Sequence, residues 1–111
     1  MPLVALDEPM SNALVTMSAK SFGCVGVLDG AGALAGVITD GDLRRHMDGA
    51  LLTRRAGEIM TTSPKTIAPT ALAAVALETM NSTRITSLFV VDGGQPIGLI
   101  HLHDLLRAGV A

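Results

Sequence analysis

Two stretches of this 111-residue chain are versions of one another, offset by 62–63 residues. The first runs from Val4 to about Arg45 and the second from Ile67 to about Arg107. Ala13-Leu14-Val15-Thr16-Met17 matches Ala76-Leu77-Glu78-Thr79-Met80, and Val27-Leu28-Asp29 matches Val90-Val91-Asp92. One residue is lost in the following turn. Gly36-Val37-Ile38-Thr39-Asp40-Gly41-Asp42-Leu43 then matches Gly98-Leu99-Ile100-His101-Leu102-His103-Asp104-Leu105. A repeat constrains architecture before any single residue is read. Units of about 45 residues bury too little to stand alone. The two are therefore expected to pack as one pseudo-symmetric domain with paired clefts between them.

Each repeat reads as strand, helix, strand, strand, helix. In the first, Val4 and Leu6 make an extended lead-in. Met10, Ala13, Leu14 and Met17 then recur at helical spacing, with Pro9 in the first turn. Cys24 to Leu28 is rich in β-formers and ends at the turn Asp29-Gly30-Ala31-Gly32. Leu34 to Ile38 returns, and Thr39-Asp40-Gly41-Asp42 opens a helix predicted to reach Met47. In the second, Thr70 is the expected N-cap of a helix to about Asn81, and Leu88–Val91 and Ile97–Ile100 flank Asp92-Gly93-Gly94. His103-Asp104 opens a last helix ending near Ala108-Gly109. The expected organisation is repeat 1 over 1–48, a structured connector over 49–64 and repeat 2 over 65–111. Within the connector, Thr53–Met60 suits one or two helical turns, and Ser63-Pro64 calls for an extended path.

The densest chemistry lies where the strand ending at Ile38 runs into a helix. Thr39 places a hydroxyl beside free helix-start amides, where a phosphate fits, and Asp42 reaches the same spot, where it can accept from ribose hydroxyls. The commoner origin of this tetrapeptide is a capping box. The second copy reads His101-Leu102-His103-Asp104, so the hydroxyl is gone and the acid stays. Two histidines two apart invite a metal, but at the end of a strand they are expected to point to opposite faces. A polar lining or local hydrogen bonding is the expectation instead. Five of the eight Lys and Arg (Arg44, Arg45, Arg54, Arg55, Lys65) fall between positions 44 and 65. Arg44 and Arg45 lie within reach of an anion at Thr39, and a solvated basic face is the plainer account.

Composition narrows the classes. The net charge is −2, and Phe22 and Phe89 are the only aromatic residues. Neither a phosphate-neutralising face nor a base-stacking platform follows, so no nucleic-acid partner is expected. No apolar run approaches the ~18 residues that span a membrane, and Asp7 and Glu8 argue against a leader. A single cysteine, Cys24, in an apolar run reads as a buried inert thiol, and a cytoplasmic setting is expected. Mean hydropathy is +0.48, high for a chain without a membrane span. The excess points to surface covered in an oligomer or by another domain. No nucleophile elbow, Walker loop or dinucleotide fingerprint is present.

The repeat, its element order and the Gly-x-x-Thr-x-x-Asp ending of the first unit together resemble a tandem pair of CBS (cystathionine-beta-synthase) domains, over essentially the whole chain. Gly36 through Arg45, Ile59-Met60-Thr61, Ile85-Thr86-Ser87-Leu88 and His101 through Gly109 look like the C-terminal half of the arabinose 5-phosphate isomerase family. The resemblance implies an α+β fold, two pseudo-symmetric β-α-β-β-α repeats packed as one domain. It implies that catalysis lies in a preceding sugar isomerase domain, that this piece is regulatory and not itself an enzyme, and that it forms a homodimer through its CBS pairs. The parent would interconvert ribulose 5-phosphate and arabinose 5-phosphate on the way to the Kdo sugar of lipopolysaccharide. No cofactor or metal is required. The implied effector is an adenosine nucleotide such as AMP or ATP, or a nucleotide-sugar such as CMP-Kdo. Thr39 would hold its phosphate and Asp42 its ribose in one cleft, and Asp104 would take the ribose in the other. His101 departs from the hydroxyl pattern there. Backbone near Val4, Ala5, Ile67 and Ala68 would face the base. A structural oligomerisation module with vestigial clefts is the alternative.

Overall fold

Met10, Ala13 and Met17 recur at three- and four-residue spacing, and all three are buried on one side of helix α1 (Met10–Lys20). The helix starts one residue later than its sequence implies. Pro9 stands outside it, and its carbonyl accepts the Ala13 amide at 3.1 Å. An N-cap needs no N–H of its own, so proline is tolerated there. The computed structural model describes residues 1–20, 23–107 and 109, and by its contacts the chain divides into two units, Met1–Pro64 and Lys65–Ala111.

In the first unit, β1 (Leu3–Ala5) runs parallel to β2 (Cys24–Leu28), as a strand–helix–strand crossover allows. β2 forms a hairpin with β3 (Leu34–Thr39). Asp29 shapes the connection: its Oδ1 accepts the amides of Ala31 at 2.9 Å and Ala33 at 3.0 Å, and Gly32 has φ 82°. β3 runs straight into α2 (Asp40–Arg45), which ends two residues short of the predicted Met47 as His46 leaves helical geometry. A 3-10 turn (Leu51–Thr53) and α3 (Ala56–Ile59) follow, then β4 (Thr61–Thr62) pairs antiparallel with β3. The sheet order is β1-β2-β3-β4. Its core joins Val4, Met10, Val25, Val27 and Ile38 to Leu51, Ala56 and Ile59, so residues beyond 48 complete the packing of the first repeat.

The second unit repeats the pattern with β5 (Thr66–Ile67), α4 (Ala73–Thr83), β6 (Ser87–Asp92), β7 (Gln95–His101) and α5 (Leu102–Arg107). Its sheet has three strands, β5-β6-β7. The core is smaller: Ala76, Met80, Leu88 and Leu105, with Ile67, Leu77, Ile85, Ile100 and Leu102 packed against it. Both hairpins break register at the same repeat position, between Val27 and Leu28 and between Val90 and Val91. The second turn is tighter. Gly93 and Gly94 at φ 59° and 83° occupy the positive-φ positions that two-residue hairpin loops need.

Three local expectations are corrected. Thr70 does not cap α4, whose N-cap is Leu72. Pro69 sets a turn in which Ala71 N–H donates to the Ala68 carbonyl at 3.0 Å, and Thr70 is spent inside it. Ser63 precedes a proline yet has φ 51°, because the chain bends sharply between β4 and β5. His101 and His103 do not point apart. Residues two apart share one face of a strand, and across the step from β7 into α5 their rings meet edge to face with centroids 4.7 Å apart. Of the expected helix end, Ala108 lies outside the described residues, and Gly109 has φ 84°, as a C-terminal cap glycine does.

Candidate functional site

The junction of β3 and α2 gathers three polar side chains and one backbone amide around one carboxylate. Asp42 is only 2% exposed. Its Oδ2 accepts the Thr39 amide at 2.9 Å and the Thr39 hydroxyl at 3.2 Å. Its Oδ1 accepts the Thr61 hydroxyl at 2.5 Å and pairs with the Arg45 guanidinium. The amide contact is one half of a capping box. The Thr39 side chain facing the Asp42 amide is the other half, and its hydroxyl also reaches the carboxylate. Burial alone would raise the Asp42 pKa. The hydrogen bonds from Thr61, the Thr39 amide, Arg45 and the Thr39 hydroxyl outweigh it and hold the carboxyl below its ordinary 3.8.

The same constellation recurs one repeat on. Asp104 Oδ2 accepts the His101 amide at 3.1 Å and Oδ1 accepts from Arg107 at 2.5 Å. The His101 amide bond, then Arg107, lower the Asp104 pKa from 3.8. Its surroundings differ from those of Asp42. Asp104 keeps 48% of its side-chain surface in solvent, against 3% for Asp42. His101 Nδ1 accepts the His103 amide at 3.1 Å, which leaves Nε2 as the ring atom directed elsewhere.

The structure therefore brings Thr39, Asp42 and Arg45 together, and separately His101, His103 and Asp104. Arg44 is exposed beside the first cluster. Val4 and Ala5 share a sheet with Thr39 but not a locus. Thr39 pairs with Cys24 and Val4 with Val27, three positions along β2, or about 10 Å at ~3.3 Å per residue. The Val4 side chain belongs to the core, and Ala5 is exposed. Ile67 pairs with Val90 and stands in the same relation to His101, which pairs with Ser87; Ala68 is exposed just beyond β5. Of the remaining basic residues, Arg54 reaches Asp48 at 3.5 Å and Arg55 donates to the Asp7 carbonyl at 2.7 Å. Cys24 is buried, as its apolar run implies.

Thr61 and Arg45 are partners of Asp42 that the reading of residue types did not join to it. Arg45 stands at i+3 on α2, a spacing that supports ion pairs, so the signal was present. Thr61 is 19 residues from Asp42, and only the pairing of β4 with β3 delivers it. Surface hollows occur among the described residues. One, of about 280 Å³, is lined by Leu14, Met17, Ser18, Gly23, Asp40 and Leu43. Another, of about 510 Å³, is lined by side chains of α4 alone and is an open helical face.

The CBS-domain profile matches residues 1–49 and 56–111, once for each repeat. The chain belongs to the CBS-domain family. As a CBS pair it is 43% identical to arabinose 5-phosphate isomerase KdsD of Pseudomonas aeruginosa, over 99% of this chain and 35% of that protein. It is 40% identical to KdsD of Yersinia pestis over 98% of this chain and 34% of that one. The CBS pair thus spans about a third of the length of the curated relatives it matches. Among solved structures it superposes on a CBS-domain protein, ATU1752 from Agrobacterium tumefaciens, with TM-score 0.86, 24% identity and coverage of 99% of this chain and 84% of that one. It also superposes on CBSX2, solved in complex with AMP, with TM-score 0.84, 24% identity and coverage of 98% and 87%. These likenesses establish the α+β CBS fold. No helix among the described residues is long and apolar enough to cross a membrane.

Proposed function

We propose that this CBS pair is the ligand-sensing module of an arabinose 5-phosphate isomerase, and that its effector is an adenosine nucleotide or a nucleotide-sugar such as CMP-Kdo. The observation that carries the reading is the carboxylate–guanidinium–backbone constellation at each strand-to-helix junction, Thr39/Asp42/Arg45 and His101/Asp104/Arg107. Kinship at 38–43% identity to several isomerases supports the parent assignment, and the AMP complex of a structural neighbour supports the ligand class. Thr39 and the exposed Arg44 and Arg45 are the phosphate-directed groups. Asp104 is the more accessible of the two carboxylates for a ribose. A ligand that binds one state of the module better shifts the attached isomerase domain by that difference in affinity.

Isothermal titration calorimetry with AMP, ATP and CMP-Kdo tests the reading. Saturable heat with one of them is expected, weakened by Arg44→Ala, which touches no part of the buried Asp42 cluster. Absence of heat with all three at millimolar ligand sinks it. One observation favours a second reading, a structural oligomerisation module: both Asp42 oxygens are already engaged inside the protein. That reading predicts a cytoplasmic homodimer whose melting temperature ignores nucleotides, and a monomer by light scattering removes it.

A further inference from the structure

The same acid stands at each strand-to-helix junction, yet its acceptor sites are filled differently. An ionised carboxylate has two oxygens and about four lone-pair sites. Asp42 meets four donors within its own unit: the Thr39 amide and hydroxyl on Oδ2, and the Thr61 hydroxyl and Arg45 guanidinium on Oδ1. Its side chain keeps 3% of its surface in solvent. Asp104 meets two among the described residues, the His101 amide on Oδ2 and Arg107 on Oδ1, and its side chain is 48% exposed. The two missing donors can be named. His101 stands where the first repeat has Thr39. Its ring Nδ1 accepts the His103 amide, so an acceptor replaces the hydroxyl that Thr39 gives to Asp42. No second hydroxyl reaches Asp104 among the described residues, as that of Thr61 reaches Asp42. Both carboxyls are held below their ordinary 3.8, so both are acceptors only at neutral pH. One acceptor site is thus left on each oxygen of Asp104, and none on Asp42.

We infer that the first repeat is blind to the sugar hydroxyls of a nucleotide, and that Asp104 alone tells a ribose from a 2′-deoxyribose. The inference rests on the sensing reading and withdraws from Asp42 the ribose role that the family resemblance implies for it. A ribose presents two adjacent hydroxyls, each a donor, and holding both needs two acceptor sites occupied only by water. Asp104 has them on a half-open side chain. Asp42 would have to release Thr61 or Arg45 from Oδ1 and a Thr39 donor from Oδ2. Exchanging one hydrogen bond for another gains little, and a buried donor left without its partner costs more than the exchange returns. Phosphate recognition escapes this constraint, because Arg44 is exposed and makes no part of the Asp42 cluster. The two junctions therefore select on different chemistry. Binding at Thr39 and Arg44 follows the charge of a phosphate ester, and binding at Asp104 follows the sugar. A 2′-deoxynucleotide competes at the first junction and is rejected at the second.

The test is carbon-13 NMR of the side-chain carboxyls of Asp42 and Asp104 in the labelled 111-residue protein, titrated with AMP, with 2′-deoxy-AMP and, at high millimolar concentration, with methyl β-D-ribofuranoside. The expected result is a saturable shift of the Asp104 carboxyl with AMP and with the furanoside. With 2′-deoxy-AMP the same shift should need roughly tenfold more ligand, the worth of one hydroxyl–carboxylate bond. The Asp42 carboxyl should stay still with the furanoside. Asp104→Ala removes the half-open acceptor and should bind AMP and 2′-deoxy-AMP equally. An Asp42 carboxyl moved by the furanoside, an Asp104 carboxyl unmoved by it, equal response of Asp104 to the two nucleotides, or continued discrimination by the Asp104→Ala protein would each overturn the inference. Calorimetry scores the sensing reading separately. The furanoside carries neither base nor phosphate, so a protein that gives no heat with nucleotides still passes or fails on its two carboxyls.

Discussion

Replacing Asp42 by asparagine probes what the buried carboxylate does for the first unit. Asp42 and Asn are nearly isosteric, so the change removes charge and acceptor capacity and leaves packing alone. Four donors converge on the carboxylate. The Arg45 side chain is 63% exposed, so solvent screens its share to about 0–1 kcal/mol. The Thr39 amide and Thr61 hydroxyl bonds, at 2.9 and 2.5 Å, are shorter than the Thr39 hydroxyl bond at 3.2 Å, and hydrogen bonds to a charged group contribute about 1.5–3 kcal/mol each. An asparagine oxygen can keep one of them, while its NH₂ faces the other donor. The net cost is therefore about 2–3 kcal/mol. With a urea slope of roughly 1–3 kcal/mol per molar, the midpoint should fall by about 1 M or more. Asp104→Asn, at the matching but half-open site, should leave the midpoint nearly unchanged.

The pH dependence gives this experiment its sign. The folded Asp42 carboxyl titrates below 3.8, its ordinary value. Its contribution is present above the unfolded pKa and is lost as pH falls through the lower folded one. The gap between wild type and Asp42→Asn should hold from neutral pH down to about 4 and close below it. Urea denaturation followed by circular dichroism at several pH values reads both effects. Equal midpoints for wild type and Asp42→Asn at neutral pH would refute the clamp, and so would an equal loss in Asp104→Asn.

Gly36→Ala should destabilise by about 1–3 kcal/mol through overpacking against Met60 and Thr61, whereas Gly98→Ala should be neutral or stabilising; differential scanning calorimetry separates the two. Thr61→Val should cost about 1–2 kcal/mol, and in the Asp42→Asn background most of that loss should vanish, which a double-mutant cycle by urea denaturation checks. His101→Thr restores the hydroxyl of the first repeat to the second. On the sensing reading it should raise nucleotide affinity or the number of sites seen by calorimetry, and an unchanged isotherm would count against a phosphate role for position 39 as well.

The repeat made most of the fold readable, because one pattern met twice at a fixed offset is hard to produce by accident. Element order, both hairpins and the buried face of α1 follow from residues adjacent in sequence: Met10, Ala13 and Met17 on the helix, and Asp29-Gly30 and Gly93-Gly94 in the turns. What was not readable depends on contacts made at a distance or on competition between neighbours. Thr70 has the chemistry of a cap, but Pro69 commits it to a turn first. His101 and His103 stand two apart, a spacing that already shares one face of a strand, so the expectation of opposite faces fails on spacing alone. The site divides in the same way. Thr39 and Asp42 announce themselves as a tetrapeptide, and nothing in it says whether the hydroxyl caps an amide or bonds the acid. Thr39 does both, and Thr61, brought in by β4, gives the buried Asp42 a second hydroxyl. The second repeat carries the same acid without that strand, and its carboxylate stays half in solvent. How far each of these two carboxylates is buried thus follows the strand laid beside it, and sequence identity at the acid does not report which is which.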